Sequence, residues 1–241
     1  MIPKIIHYVW LGNNEPNSLA KKCISSWKDK CPDFTVMLWN EENSPISSFT
    51  FCQEAYEEHK YAYVSDVIRL WALYNYGGIY LDTDLEVLHS LNRFLSNKAF
   101  IGFQKDDLLL QTAIMGFEKN DENVFQLLKM YESMHFINND GTLNLIPNTW
   151  SFTKYFEDKG LKRNNLEQNV AGVEIYPSDF FCPIDWEYGE KIITENTYAI
   201  HHFDGSWMKP SKTKAMARYL GVKRTRQLKS ILRKLRLIKE H

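Results

Sequence analysis

Apolar positions along this chain switch between two spacings. Residues 5–11, Ile-Ile-His-Tyr-Val-Trp-Leu, form a nearly unbroken β-branched and aromatic run that ends at Gly12-Asn13-Asn14. Such a run reads as a buried parallel strand followed by a loop. Residues 18–30 change to helical spacing, with Leu19, Cys23, Ile24 and Trp27 on one face. Residues 34–39 read as a second strand, 40–48 as a polar, turn-rich loop and 51–59 as a helix. The clearest helix is 62–76, where Val64, Val67, Ile68, Trp71, Ala72 and Tyr74 are spaced for burial. Gly77 or Gly78 supplies its C-cap, because glycine accepts left-handed geometry there. A short strand, 79–81, follows. Further strands are expected at 99–103, 108–115, 173–176 and 198–203, and further helices at 120–134 and 149–158. Strands alternating with helices predict an α/β fold with a mostly parallel central sheet and helices on both faces.

Composition narrows the class. At 241 residues, with 44% hydrophobic and 14% aromatic side chains and no Gly/Ser- or Pro-rich linker, one main domain with a sizeable core is expected. The formal charge of −1 conceals an asymmetry: residues 209–241 hold 12 Lys+Arg and one acid, a balance of +11, against −12 for residues 1–208. A basic end predicts an anionic surface as partner, and the acidic body argues against nucleic-acid wrapping. The division expected is therefore 1–208 as the main domain and 209–241 as a basic amphipathic helical tail. Its apolar stripe is Leu228, Ile231, Leu232, Leu235 and Ile238. That tail could dock on its own domain or a partner protein, or lie on an anionic membrane. Cys23, Cys31, Cys52 and Cys182 lack zinc-like spacing and read as buried thiols of a reducing compartment. No leader or membrane-spanning run is visible, which predicts a protein that is cytoplasmic or bound to the inner membrane face.

The chemistry concentrates in residues 77–84, Gly-Gly-Ile-Tyr-Leu-Asp-Thr-Asp. Alternation along a strand sends Asp82 and Asp84 to one side, at the carboxyl end where open α/β sheets bind ligands. Two hard oxygen ligands there suit Mg²⁺ or Mn²⁺ carrying a diphosphate. Glu86 continues the alternation and could equally face outward. Asp66 and Arg69, i and i+3 on the preceding helix, could hold a ligand with vicinal hydroxyls or form an ordinary ion pair. His201 or His202, at the end of a late strand, could complete a carboxylate-rich metal shell. Gly205, Ser206 and Trp207 offer donors to a phosphate. Trp10, at the end of the first strand, could stack on a base or pack in the core.

Taken together, Lys4–Gly12, Ser65-Asp66-x-x-Arg69, Gly77–Asp84 and His201-x-x-x-x-Ser206-Trp207 resemble the DXD-containing enzymes of glycosyltransferase family 32. That group includes bacterial capsular and lipopolysaccharide transferases and yeast α-mannosyltransferases; the catalytic domain of large clostridial glucosylating toxins has a related pattern. The resemblance implies a GT-A nucleotide-sugar fold and metal-dependent sugar transfer with retention, from a nucleotide-sugar, first choice UDP-sugar. The acceptor implied is a glycan or lipid-linked oligosaccharide of cell-surface polysaccharide synthesis. It implies Trp10 against the base, Asp66 and Arg69 on the donor sugar, Tyr80 near the nucleotide, and Asp82 on the ribose and metal. It further implies Asp84 as direct metal ligand, with Ser206 and Trp207 closing over the diphosphate; His201 is favoured over His202 by its distance from Ser-Trp. Gln111 is placed under the anomeric carbon. Two departures, Gln111 where Asn is usual and Ile146-Pro147-Asn148 where Gly-Pro is usual, fall on the acceptor side. Rival readings are a haloacid-dehalogenase-like phosphatase, which needs Thr or Val where this chain has Glu86, and a nucleotide-sugar-binding protein without turnover.

Overall fold

The computed structural model describes residues 1–12, 14–105, 107–204 and 212–234. A seven-stranded sheet forms the centre, in the spatial order β2 (Thr35–Trp39), β1 (Ile5–Val9), β3 (Gly78–Leu81), β6 (Leu110–Phe117), β5 (Ala99–Phe103), β8 (Val173–Tyr176), β7 (Gln168–Val170). Five of these strands run the same way; β6 and β7 run against them. The sheet is thus mostly parallel in strand direction, as expected, but an antiparallel β6 is inserted beside β3. Periodicity gave no sign of that, because a fully buried strand reads alike in either direction.

Each face of the sheet carries its own core. One face packs α2 (Thr50–Glu57), α3 (Tyr61–Tyr76), α4 (Glu122–Met130) and α5 (Asn148–Glu157), through Cys52, Val64, Ile68, Val124 and Phe152 against Tyr80, Ile101 and Met115. The other packs α1 (Ser18–Lys30), α6 (Ser178–Phe181) and a 3-10 turn, Leu91–Ser96, through Trp27, Phe181 and Phe94 against Ile6, Ile79 and Phe100. Burial of β3 on both sides explains its continuous apolar sequence.

Three devices position the site. Gly77 (φ 64°) and Gly78 (φ 112°) turn α3 directly into β3. A side chain at Gly78 would meet the Ile5 carbonyl at 2.7 Å, so only glycine lets β3 lie this close to β1. Secondly, β4 (Leu85–Val87) pairs with β9 (Ala199–His201) in a separate two-stranded sheet, with Leu85 opposite His201. Thirdly, β6 bulges: Gly102 faces Gln111 while Phe100 faces Gly116. The basic end departs from a single helix. Gly221 (φ 83°) divides it into α7 (Lys212–Leu220) and α8 (Val222–Lys234). Leu235 and Ile238 lie outside the described residues.

Candidate active site

The carboxyl ends of β1 and β3 open on one edge. His7 is opposite Tyr80, so Trp10 leaves β1 at the level where Asp82 and Asp84 leave β3. Trp10 is half-buried, and its indole Nε1 donates to the Asn14 carbonyl at 2.8 Å. Asp82, Asp84 and His201 each offer a ligand atom, all within 4.8 Å of one another. His201 Nε2 lies 3.4 Å from Asp84 Oδ1, and the Asp204 N–H donates to Asp84 Oδ2 at 2.9 Å. Burial pushes the Asp84 carboxyl up, but the adjacent His201 and these hydrogen bonds outweigh it and hold Asp84 at about 2. Burial likewise pulls His201 down, and the Asp84 charge reverses the shift to about 10.

Two carboxylates and an imidazole are a donor set that fits Mn²⁺ or Mg²⁺; the His201 ring is buried beside the Cys182 thiol, and among the described residues its Nδ1 makes no other hydrogen bond. Because a ligating imidazole must give up its proton, metal entry and His201 deprotonation are coupled. His202 does not belong to this cluster. Neighbouring residues on a strand face opposite ways, and His202 Nε2 pairs with Glu86 Oε2 at 2.8 Å, where Lys22 Nζ also reaches at 2.9 Å. Glu86 is accordingly an outward partner, not a metal ligand.

Beside the cluster lies a buried ionic network. Arg69 Nη2 is 2.9 Å from Asp66 Oδ1 and 3.3 Å from Asp82 Oδ1. Its guanidinium lies 4.6 Å from the Tyr80 ring centroid, and Nη1 donates to the Thr112 carbonyl at 2.8 Å. Arg69 and Asp66 have side chains only 5% and 13% exposed, which excludes an ordinary surface pair. Burial raises Asp66 to about 7, with Arg69 opposing the shift and Asp82 adding to it. Tyr80 donates its hydroxyl to Asp82 Oδ1 at 2.8 Å. At 1% exposure, Tyr80 is buried, with its hydroxyl on Asp82 and its ring against Arg69.

Gln111 needs correction. It is 1% exposed, and its amide is taken up by its own strand, donating to the Ile114 carbonyl at 2.7 Å and accepting from the Ile114 N–H at 3.1 Å. It braces the β6 bulge, and its side chain is almost wholly covered by protein. Sequence reasoning placed Ile146-Pro147-Asn148 on the acceptor side but missed that Asn148 donates to Asp66 Oδ1 at 2.8 Å, and it missed Thr112, whose hydroxyl bonds to Asn148 Oδ1 at 3.0 Å. A polar residue at the start of a helix carries no signal of a partner 82 positions away. Ser206 and Trp207 lie outside the described residues.

Residues 17–101 match a protein family described as the glycosyltransferase sugar-binding region containing a DXD motif. That segment holds Asp66, Arg69, Asp82 and Asp84. Inositol phosphoceramide mannosyltransferase 3 of Schizosaccharomyces pombe is 30% identical over 135 residues, 53% of this chain and 36% of that protein. Lactosylceramide 4-alpha-galactosyltransferase of Mus musculus is 29% identical over 174 residues, 66% of this chain and 46% of that protein. The chain thus spans less than half the length of either curated relative. Among solved structures, a PaToxG glycosyltransferase superposes with a TM-score of 0.50 at 19% identity, covering 66% of this chain and 70% of its own. The fold is GT-A. That fold and the matching sugar-binding region displace the phosphatase alternative.

Proposed function

We propose that the chain is a metal-dependent, retaining glycosyltransferase that moves a sugar from a nucleotide-sugar, first choice a UDP-sugar, to a saccharide carried on a lipid. The observation that carries this reading is the convergence of Asp82, Asp84 and His201 beside the Asp66–Arg69 pair, inside the segment that matches a sugar-binding region. Asp82, Asp84 and His201 would hold Mn²⁺ or Mg²⁺, which would supply positive charge beside the phosphates of a departing nucleoside diphosphate. Asp66 accepts and Arg69 donates hydrogen bonds to sugar hydroxyls. Holding the sugar in one pose lets the acceptor hydroxyl attack the face that the diphosphate leaves. Trp10 stacks on the base, and Ser206 and Trp207 close over the diphosphate. The main domain, 1–208, performs the chemistry.

A lipid-borne acceptor is favoured by two features. The relatives named above are, by their names, transferases acting on inositol phosphoceramide and lactosylceramide. Beside Asn148, the chain exposes Leu145 (52%), Ile146 (65%) and Trp150 (56%), an apolar edge suited to a membrane-borne substrate. Capsular or lipopolysaccharide synthesis on the cytoplasmic side of a membrane is one setting for such an acceptor. No helix among the described residues is long and apolar enough to cross a membrane. Contact with an anionic membrane is proposed to run through the basic residues 209–241.

A panel of nucleotide-sugars with Mn²⁺, scored by nucleoside-diphosphate release, tests the reading. Release is expected with a UDP-sugar and is abolished by chelator or by Asp84→Ala. Undiminished turnover in either condition refutes the metal assignment, and tight donor binding without any release favours the non-catalytic alternative.

A further inference from the structure

We infer that Asn148, braced by Thr112, is the positioning residue of the donor-sugar clamp and separates recognition of the sugar from recognition of the nucleotide. The inference rests on the reading of Asp66 and Arg69 as that clamp. Thr112 braces both of its members: its carbonyl accepts from Arg69 Nη1 at 2.8 Å, and its hydroxyl bonds to Asn148 Oδ1 at 3.0 Å. Asn148 Nδ2 then donates to Asp66 Oδ1 at 2.8 Å. With Asp66 ionised, the opposite amide orientation would set the Asn148 oxygen against the carboxylate, acceptor facing acceptor, so the donating orientation is the one that satisfies both groups.

The network has a direction. Arg69 Nη2 and Asn148 Nδ2 both bond to Asp66 Oδ1, and among the described residues nothing donates to Oδ2. One oxygen is fixed by the protein and the other is kept for a ligand hydroxyl. Thr112 sits in the β6 bulge that the Gln111 amide holds through Ile114. Thr112, Asn148 and Arg69 are 6%, 6% and 4% exposed, so the brace sits out of solvent. Asn148 also opens α5 one residue after the exposed Leu145-Ile146 segment, which ties the acceptor edge to the donor clamp. The ligand class is a pyranosyl group with adjacent hydroxyls, attached to a nucleoside diphosphate.

Calorimetric titration of the full chain with Mn²⁺, using UDP, UDP-glucose and UDP-galactose as probes, tests the inference. Asn148→Ala and Thr112→Val are expected to bind UDP as the wild type does and to lose about tenfold in affinity for the nucleotide-sugar that the wild type prefers. Thr112→Ser, which keeps the hydroxyl, restores that affinity, and steady-state kinetics of Thr112→Val show the loss in KM for the sugar donor. Equal losses for UDP and nucleotide-sugar mark a general structural defect and overturn the inference. So does an Asn148→Ala protein that keeps the full sugar preference. A wild-type protein that binds neither UDP nor nucleotide-sugar instead overturns the donor reading itself.

Discussion

At the scale of single residues, Asp66 shows function set against stability. Its folded-state value of about 7 stands above the ordinary 3.8, because burial disfavours the carboxylate. A carboxyl with a raised folded value binds its proton more tightly in the folded state than in the unfolded chain. Its contribution to stability therefore falls as pH rises from about 4 to about 7 and stays low above that. The cost at neutral pH is on the order of a few kcal/mol. Asp66→Asn removes it while leaving an oxygen for Asn148 to bond. The expected outcome is a Tm advantage over the wild type that grows from pH 4 to above pH 7, with donor turnover reduced about 10- to 100-fold. Thermal melts across that range check the sign; a variant less stable than the wild type above pH 7 contradicts it.

At the scale of elements, the turn from α3 to β3 fixes where the carboxylates stand. Gly77 and Gly78 both have positive φ, and a Cβ at Gly78 meets the Ile5 carbonyl at 2.7 Å and His7 Nε2 at 3.1 Å. His7 is itself committed: it accepts from Trp39 Nε1 at 3.1 Å, leaving Nε2–H to donate to the Gly77 carbonyl at 2.7 Å. Burial keeps it neutral, at about 4 despite the opposing Gly77 hydrogen bond. Gly78→Ala is expected to destabilise the protein by about 3 kcal/mol, from left-handed backbone strain and overpacking together. Chemical denaturation measures it, and a loss below about 1 kcal/mol shows that β1 can yield. The glycine pair was legible in the sequence as a helix stop. Its second role, close approach of β1 and β3, was not, because it depends on which strand becomes the neighbour.

At the scale of the whole molecule, the basic end is partly neutralised by its own domain. Arg226 bonds to Asp185 at 2.9 Å and Glu190 at 3.0 Å, and Lys229 pairs with Glu187. The face of α8 left outward carries Leu228 and Ile231, 38% and 53% exposed, and Tyr219 of α7 is 90% exposed. Docking through charge with an apolar stripe outward combines two of the fates considered for this segment. Binding is expected to be stronger to vesicles containing phosphatidylserine than to neutral ones, to weaken with salt, and to fall with Leu228→Ser/Ile231→Ser. Sedimentation with vesicles reads all three, and equal binding to both vesicle types removes the membrane assignment.

The sequence by itself determined what short-range periodicity can carry. The α/β class, the apolar α3, the i and i+3 relation of Asp66 and Arg69, and the two aspartates emerging together from β3 all follow from spacing within a few residues. Tertiary structure decided what depends on register and on distant partners. Pairing of β4 with β9 put His201 at the aspartates and His202 at Glu86; a shift of one residue would exchange them, since strand side chains alternate. The bulge in β6 turned the Gln111 amide inward and brought Thr112 to Arg69. Packing of α5 on that sheet face delivered Asn148 to Asp66. Such contacts are fixed by how whole elements dock, a free energy summed over both cores, and no local pattern of residues encodes it.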